Sequence, residues 1–139
     1  MTAGEAQEAA RAPVRDRARW VAAVTGSVLA AAGLWAFAAP ASFFEVIATY
    51  EPYNRHFLHD LGAFMVGLGA VLVLAAWRPR HGLAVALTGV GIGSALHAVS
   101  HVVDRDLGGN PVRDIPALTV LAVLLLAAGR SAWRDGADA

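Results

Sequence analysis

Twenty consecutive residues, Trp20 to Ala39, carry no charge. A helix of that length, at about 1.5 Å per residue, crosses the ~30 Å of hydrocarbon in a bilayer. Three further apolar runs follow, divided by short polar segments. With 57% hydrophobic and 16% charged residues in 139, a soluble domain cannot bury all of its apolar side chains, so the excess faces lipid. Backbone polar groups in lipid must be satisfied within the segment, which for runs of this length means helix. The chain therefore reads as an all-α, four-helix transmembrane bundle whose immediate partner is the lipid bilayer. Its single domain covers residues 20–133, between polar tails at 1–19 and 134–139.

The spans are expected at about 20–39, 59–77, 83–103 and 115–133. Residues 1–19 carry Glu5, Glu8, Arg11, Arg15, Asp16, Arg17 and Arg19 around Pro13, the composition of a disordered or interfacial tail. Pro40 ends the first span. A cleavable signal peptide competes with this reading, since Ala36-Phe37-Ala38 resembles a small-x-small cleavage site. The polar leader and the length of the run favour an uncleaved helix. Residues 40–55 are amphipathic and aromatic, suited to the headgroup level, and either Pro52 or Asn54 starts the second span. Residues 78–82 form a tight polar hairpin, and the 104–114 loop is rich in turn residues. The last apolar run, Ile115 to Gly129, is short. It spans if Arg130 snorkels and the helix continues to Trp133.

All eleven basic residues are Arg, a usage that points to a high-GC bacterial genome. Eight of them flank what would be one side of the membrane (Arg11, Arg15, Arg17, Arg19, Arg78, Arg80, Arg130, Arg134), against Arg55, Arg105 and Arg113 on the other. The positive-inside rule then places both termini in the cytoplasm of a bacterial plasma membrane, and Trp20, Trp77 and Trp133 fall at the same side as an aromatic belt would. The formal net charge is zero, which leaves no electrostatic case for nucleic acid. Cysteine is absent, excluding disulfides, thiolate nucleophiles and Cys-based metal sites. No phosphate-binding loop or nucleophile elbow occurs, and the balance leans away from an enzyme.

Polar residues at the edge of hydrocarbon need a reason, and two clusters stand there. His56, His59 and Asp60 open the second span; His97, His101 and Asp104 close the third, on one face at i, i+4 and i+7. If the hairpin near Pro79 makes these helices close antiparallel neighbours, His59 lies level with about Val99 and His56 with Val102. Both clusters then share a slab roughly 10 Å thick on the non-cytoplasmic side. His97 is expected to point toward the second span, within reach of His59 or Asp60. Gly89 and Gly93, with Ala63 and Gly67 opposite, would let the two helices approach.

Two readings follow. In one, the cluster is a structural polar knot in an accessory subunit of a larger membrane complex or a homo-oligomer, with Asp60 paired to Arg55 and Asp104 to Arg105 or Arg113. In the other, His56, His59, Asp60, His97, His101 and Asp104 hold a transition metal. Imidazole and carboxylate without thiolate suit Cu, Zn or Fe, and the i, i+4 pair is the spacing that brings two histidines to one ion. A haem b between facing histidines, a quinone site and a proton relay are further options. His81, beside two arginines, is most simply a solvated turn residue.

The chain also resembles small four-span actinobacterial membrane proteins that are DoxX-like in layout. The resemblance covers roughly residues 20–129. It is carried by Pro40, Phe43, Phe44, Tyr53, Asn54, His56, Asp60, Gly62, Ala63, His97, His101 and Asp104. Such proteins often have Arg where this chain has His59. Some DoxX-like proteins are linked to quinone-coupled sulfur oxidation, so the resemblance implies a quinone-linked redox subunit as a further alternative.

Overall fold

The computed structural model describes residues 3–137, with side chains over 17–136. Five helices account for the described chain: α1 (Ala3–Ala38), the short α2 (Pro40–Val46), α3 (Arg55–Ala75), α4 (Arg80–Val103) and α5 (Pro111–Ala137). Four stretches are long and apolar enough to cross a membrane: Arg17–Ala38, Arg55–Ala75, Arg80–Val103 and Pro111–Gly136. At 21 to 26 residues each they measure about 32–39 Å. Large apolar side chains stand outward on them, among them Phe64 (74% exposed) and Leu96 (66%). No polar or charged residue is fully buried among the described residues. That distribution is inside-out for water and correct for lipid, and the protein is a multi-pass membrane protein.

The helix boundaries differ from the expected spans in instructive ways. The polar tail is helical from Ala3 onward rather than disordered, continuous with the first span. Asn54, not Pro52, caps α3: in extended conformation, its side-chain oxygen accepts from Phe57 N–H at 3.0 Å. The last span starts at Pro111, ahead of the expected 115. Asn110 Oδ1 accepts from Arg113 N–H at 3.1 Å, and Asp114 Oδ2 accepts from Asn110 N–H at 3.0 Å. This is a reciprocal cap of the capping-box kind, with Pro at the first helical position, where its missing N–H costs nothing. Pro116 lies inside the helix, near enough to its start to be tolerated. The span with the shortest uncharged run is the longest of the four.

The packing corrects the expectation that the second and third spans form the close pair. The bundle is two tight antiparallel pairs, α1 with α3 and α4 with α5; contact between α3 and α4 is slight. Glycine placement explains this. Gly26 of α1 faces Gly69 of α3, and two turns away Gly33 faces Gly62. A Cβ on Gly69 would lie 2.6 Å from Gly26 O, and one on Gly33 would lie 2.7 Å from Gly62 O. The backbones touch, so a glycine seam fastens α1 to α3. Gly89, Gly93 and Gly67, expected to be notches, have nothing within 4 Å of a Cβ.

The α4–α5 pair uses different means. Arg80 and Asp135 form a 2.8 Å ion pair, Trp133 Nε1–H donates to Thr88 Oγ1 at 3.2 Å, and the His81 ring meets Trp133 edge-on, centroids 5.7 Å apart. His81 is thus a packing contact as well as a hairpin residue.

The two pairs meet in an apolar cluster at the hairpin end, where Ala18, Ala22, Leu72, Ala75 and Ala76 pack with Leu83, Leu87, Leu125 and Ala132. At that end Arg19 also hydrogen-bonds to Ala76 O, close to the α3 C-terminus, where a cation is favoured. At the opposite end a second cluster of Ala36, Phe43 and Leu58 ties α2 down between α1 and α3. Trp35 reinforces it, donating from Nε1 to Ser42 Oγ at 2.8 Å and meeting Phe43 edge-on. This second cluster contains no residue of α4 or α5, so other contacts must join the two pairs there.

Candidate functional site

Those contacts are polar and gather around Tyr50. The segment after α2 turns back so that the Tyr50 hydroxyl lies 3.1 Å from His101 Nδ1. One helical turn earlier on α4, His97 Nε2 lies 3.1 Å from His101 Nε2. The rings of Tyr50 and His101 meet edge-on, and those of His97 and His101 are tilted with centroids 4.8 Å apart. The result is a three-member chain, Tyr50–His101–His97, running from the loop into the third span.

Two neighbouring contacts hold the chain in place. Gly109 N–H donates to Thr49 O at 3.1 Å. Gly108 and Gly109 have φ of 142° and 72°, the left-handed region that favours glycine; a Cβ on Gly109 would sit 2.7 Å from the Tyr50 hydroxyl. Arg113 reaches Val46 O and Ile47 O at 3.3 and 3.4 Å, satisfying carbonyls at the end of α2, while its Nε holds Asp114 at 2.6 Å. The 104–114 loop is thereby docked on the segment between α2 and α3.

The Tyr50 phenol is held above its ordinary pKa, first by burial and then by the carboxylates of Asp114 and Asp104. It stays protonated at neutral pH and is able to donate to His101 Nδ1. His101 Nε2–H then donates to His97 Nε2, or the whole chain runs in the opposite sense. Either sense needs one unprotonated Nε2 in the histidine pair.

The six residues singled out in the sequence are distributed as follows. His97 and His101 are together. His56 pairs with Asp60 at 3.5 Å on the exposed first turn of α3, so Asp60 finds His56 rather than Arg55. His59 is half-buried with its ring 5.2 Å from that of Phe37 on α1. Asp104 ends α4, its N–H donating to Ser100 O, and it is not the partner of the nearby arginines: Arg105 pairs with Asp106 and Arg113 with Asp114.

Among the described residues no hydrogen bond or ion pair joins the 56–60 cluster to the 97–104 cluster, and no group of three His, Asp or Glu stands ready for a metal ion. His97 finds its partner one turn along its own helix, not on α3. The physical reason is the glycine seam, which commits α3 to α1 and brings His59 to Phe37. The two rings are not spaced as the paired ligands of one haem iron. Two axial imidazoles lie on opposite sides of the metal, on the order of 4 Å apart at twice a metal–imidazole bond, against 3.1 Å between these nitrogens.

Sequence reasoning missed Tyr50, Asp114 and the role of Arg113. The signal available was the Gly108-Gly109-Asn110-Pro111 run, a tight turn that ends in a helix start. It does not say which aromatic residue the turn covers. No protein-family model, curated protein or solved structure matches the chain, so none bears on the likeness to the DoxX-like group.

Proposed function

We propose that this is an accessory membrane protein whose polar residues fasten the bundle instead of performing chemistry. The observation that carries this reading is the Tyr50–His101–His97 chain, which links the segment after α2 to α4 where the apolar clusters do not join the two helix pairs. Polar side chains of this sort hold transmembrane helices together by hydrogen bonds worth on the order of 0.6–2 kcal/mol each. The outward face of α4 bearing Gly89 and Gly93 has room for a helix of another protein or of a second copy. In this proposal the knot lies on the non-cytoplasmic side of a bacterial plasma membrane with both termini in the cytoplasm, supported by the arginine asymmetry.

Unfolding in detergent tests the fastener. His101→Ala should lower stability by about 1–2 kcal/mol while the protein still inserts as four spans. A His101→Ala variant as stable as the parent would remove the basis of the reading.

A further inference from the structure

We propose that His97 and His101 form a two-imidazole site for a divalent transition-metal ion such as Cu(II) or Zn(II), with its remaining coordination positions open. Both Nε2 atoms converge, 3.1 Å apart. Two imidazoles bound to one ion at ~2.0–2.1 Å, with an angle between a right angle and the tetrahedral value, have nitrogens about 2.9–3.4 Å apart. The observed separation lies inside that window, so an ion can replace the hydrogen bond with little movement of either ring. The i, i+4 placement on one continuous helix makes the spacing a property of the backbone and not of a mobile loop.

The surroundings fit a ligand pair. His101 is oriented through its other nitrogen by the Tyr50 hydroxyl at 3.1 Å, the outer contact that a metal-bound histidine characteristically makes. Of the two nearby carboxylates, Asp114 is neutralised by its 2.6 Å pair with Arg113, and Asp104 at the end of the same helix as the histidines is the one whose charge favours a cation. Binding needs no net loss of protons. The ring that donated through Nε2 shifts its hydrogen to Nδ1; for His101 this turns Tyr50 from donor into acceptor. No third His, Asp or Glu of the described residues completes the set, so water or an added ligand occupies the other positions and the ion exchanges readily.

The site uses the same side chains as the fastener, but the two readings fail separately: the fastener is measured by unfolding with chelator present, the metal site by binding. The full chain, purified in detergent without a polyhistidine tag, is titrated with Cu(II) and followed by electron paramagnetic resonance. One Cu(II) per chain with a two-nitrogen signature is expected. His97→Gln and His101→Gln should each weaken binding at least tenfold, Tyr50→Phe by about tenfold through loss of ring orientation, and His56→Ala should leave it unchanged. Circular dichroism and size-exclusion profiles establish that the variants are folded; should His101→Gln not fold, His97→Gln decides alone. Absence of stoichiometric Cu(II), or binding that survives His97→Gln, would overturn the proposal.

Discussion

The Tyr50 hydroxyl and the left-handed Gly109 beneath it are the residues on which the loop end turns. At Gly109 an alanine would add roughly 1–2 kcal/mol of backbone strain and push its methyl against the Tyr50 hydroxyl. Gly109→Ala should therefore lower stability by at least that amount and should lose further ground little when Tyr50→Phe is added, as thermal unfolding in detergent would show. Tyr50 also sets an alkaline limit. Its pKa is raised on folding by burial, Asp114 and Asp104. A group raised in this way contributes stability that is complete below its unfolded pKa of about 10 and is lost as pH rises through the folded value. The unfolding midpoint should be insensitive to this group up to about pH 9 and fall above it, and Tyr50→Phe should make the alkaline fall shallower. An equally steep fall in the variant would show that Tyr50 is not the group responsible.

Helix by helix, much was legible. The four spans follow from the apolar runs because a bilayer leaves a long uncharged segment few alternatives. The α3 start was readable as one of two options, and Asn54 proved to be the cap. The pairing of helices was not legible. Six of the seven glycines of α3 and α4 lie in the apolar runs and look alike in sequence, and only the rotation of each helix decides which face a neighbour: Gly62 and Gly69 turn to α1 and Gly91 to Leu126 of α5, while Gly67, Gly89 and Gly93 are open. The rotation in turn depends on Gly26 and Gly33, which nothing in the sequence distinguishes from the rest of the Trp20–Ala39 apolar run. Depth without rotation likewise sets His97 opposite His59, whereas its partner is His101, at the i, i+4 spacing visible in the sequence. The difference between glycines is directly measurable. Gly69→Ala places a Cβ 2.6 Å from Gly26 O and 2.7 Å from Ala30 N, backbone atoms that cannot swing aside, and should cost about 1–3 kcal/mol. Gly67→Ala meets nothing and should be neutral or stabilising by up to about 1 kcal/mol. Equal effects at the two positions would contradict the α1–α3 seam.

Across the whole molecule, two helix pairs are joined by apolar packing at the hairpin end and by a polar knot at the other. The proposed orientation makes its own prediction: a phosphatase fused to the C-terminus should be inactive, and one inserted in the 104–110 loop active. A periplasmic C-terminus would reverse the side on which the knot lies without altering its bonds. The joining role of the knot is tested most directly by a double-mutant cycle between Tyr50→Phe and His101→Gln, measured by reversible unfolding in detergent with chelator present. A direct hydrogen bond across the two pairs predicts a coupling energy of about 0.5–1.5 kcal/mol, the double variant losing that much less than the two single losses combined. Strictly additive losses would contradict the account, because Tyr50 and His101 would then stabilise the protein independently and the loop end would be held by something else.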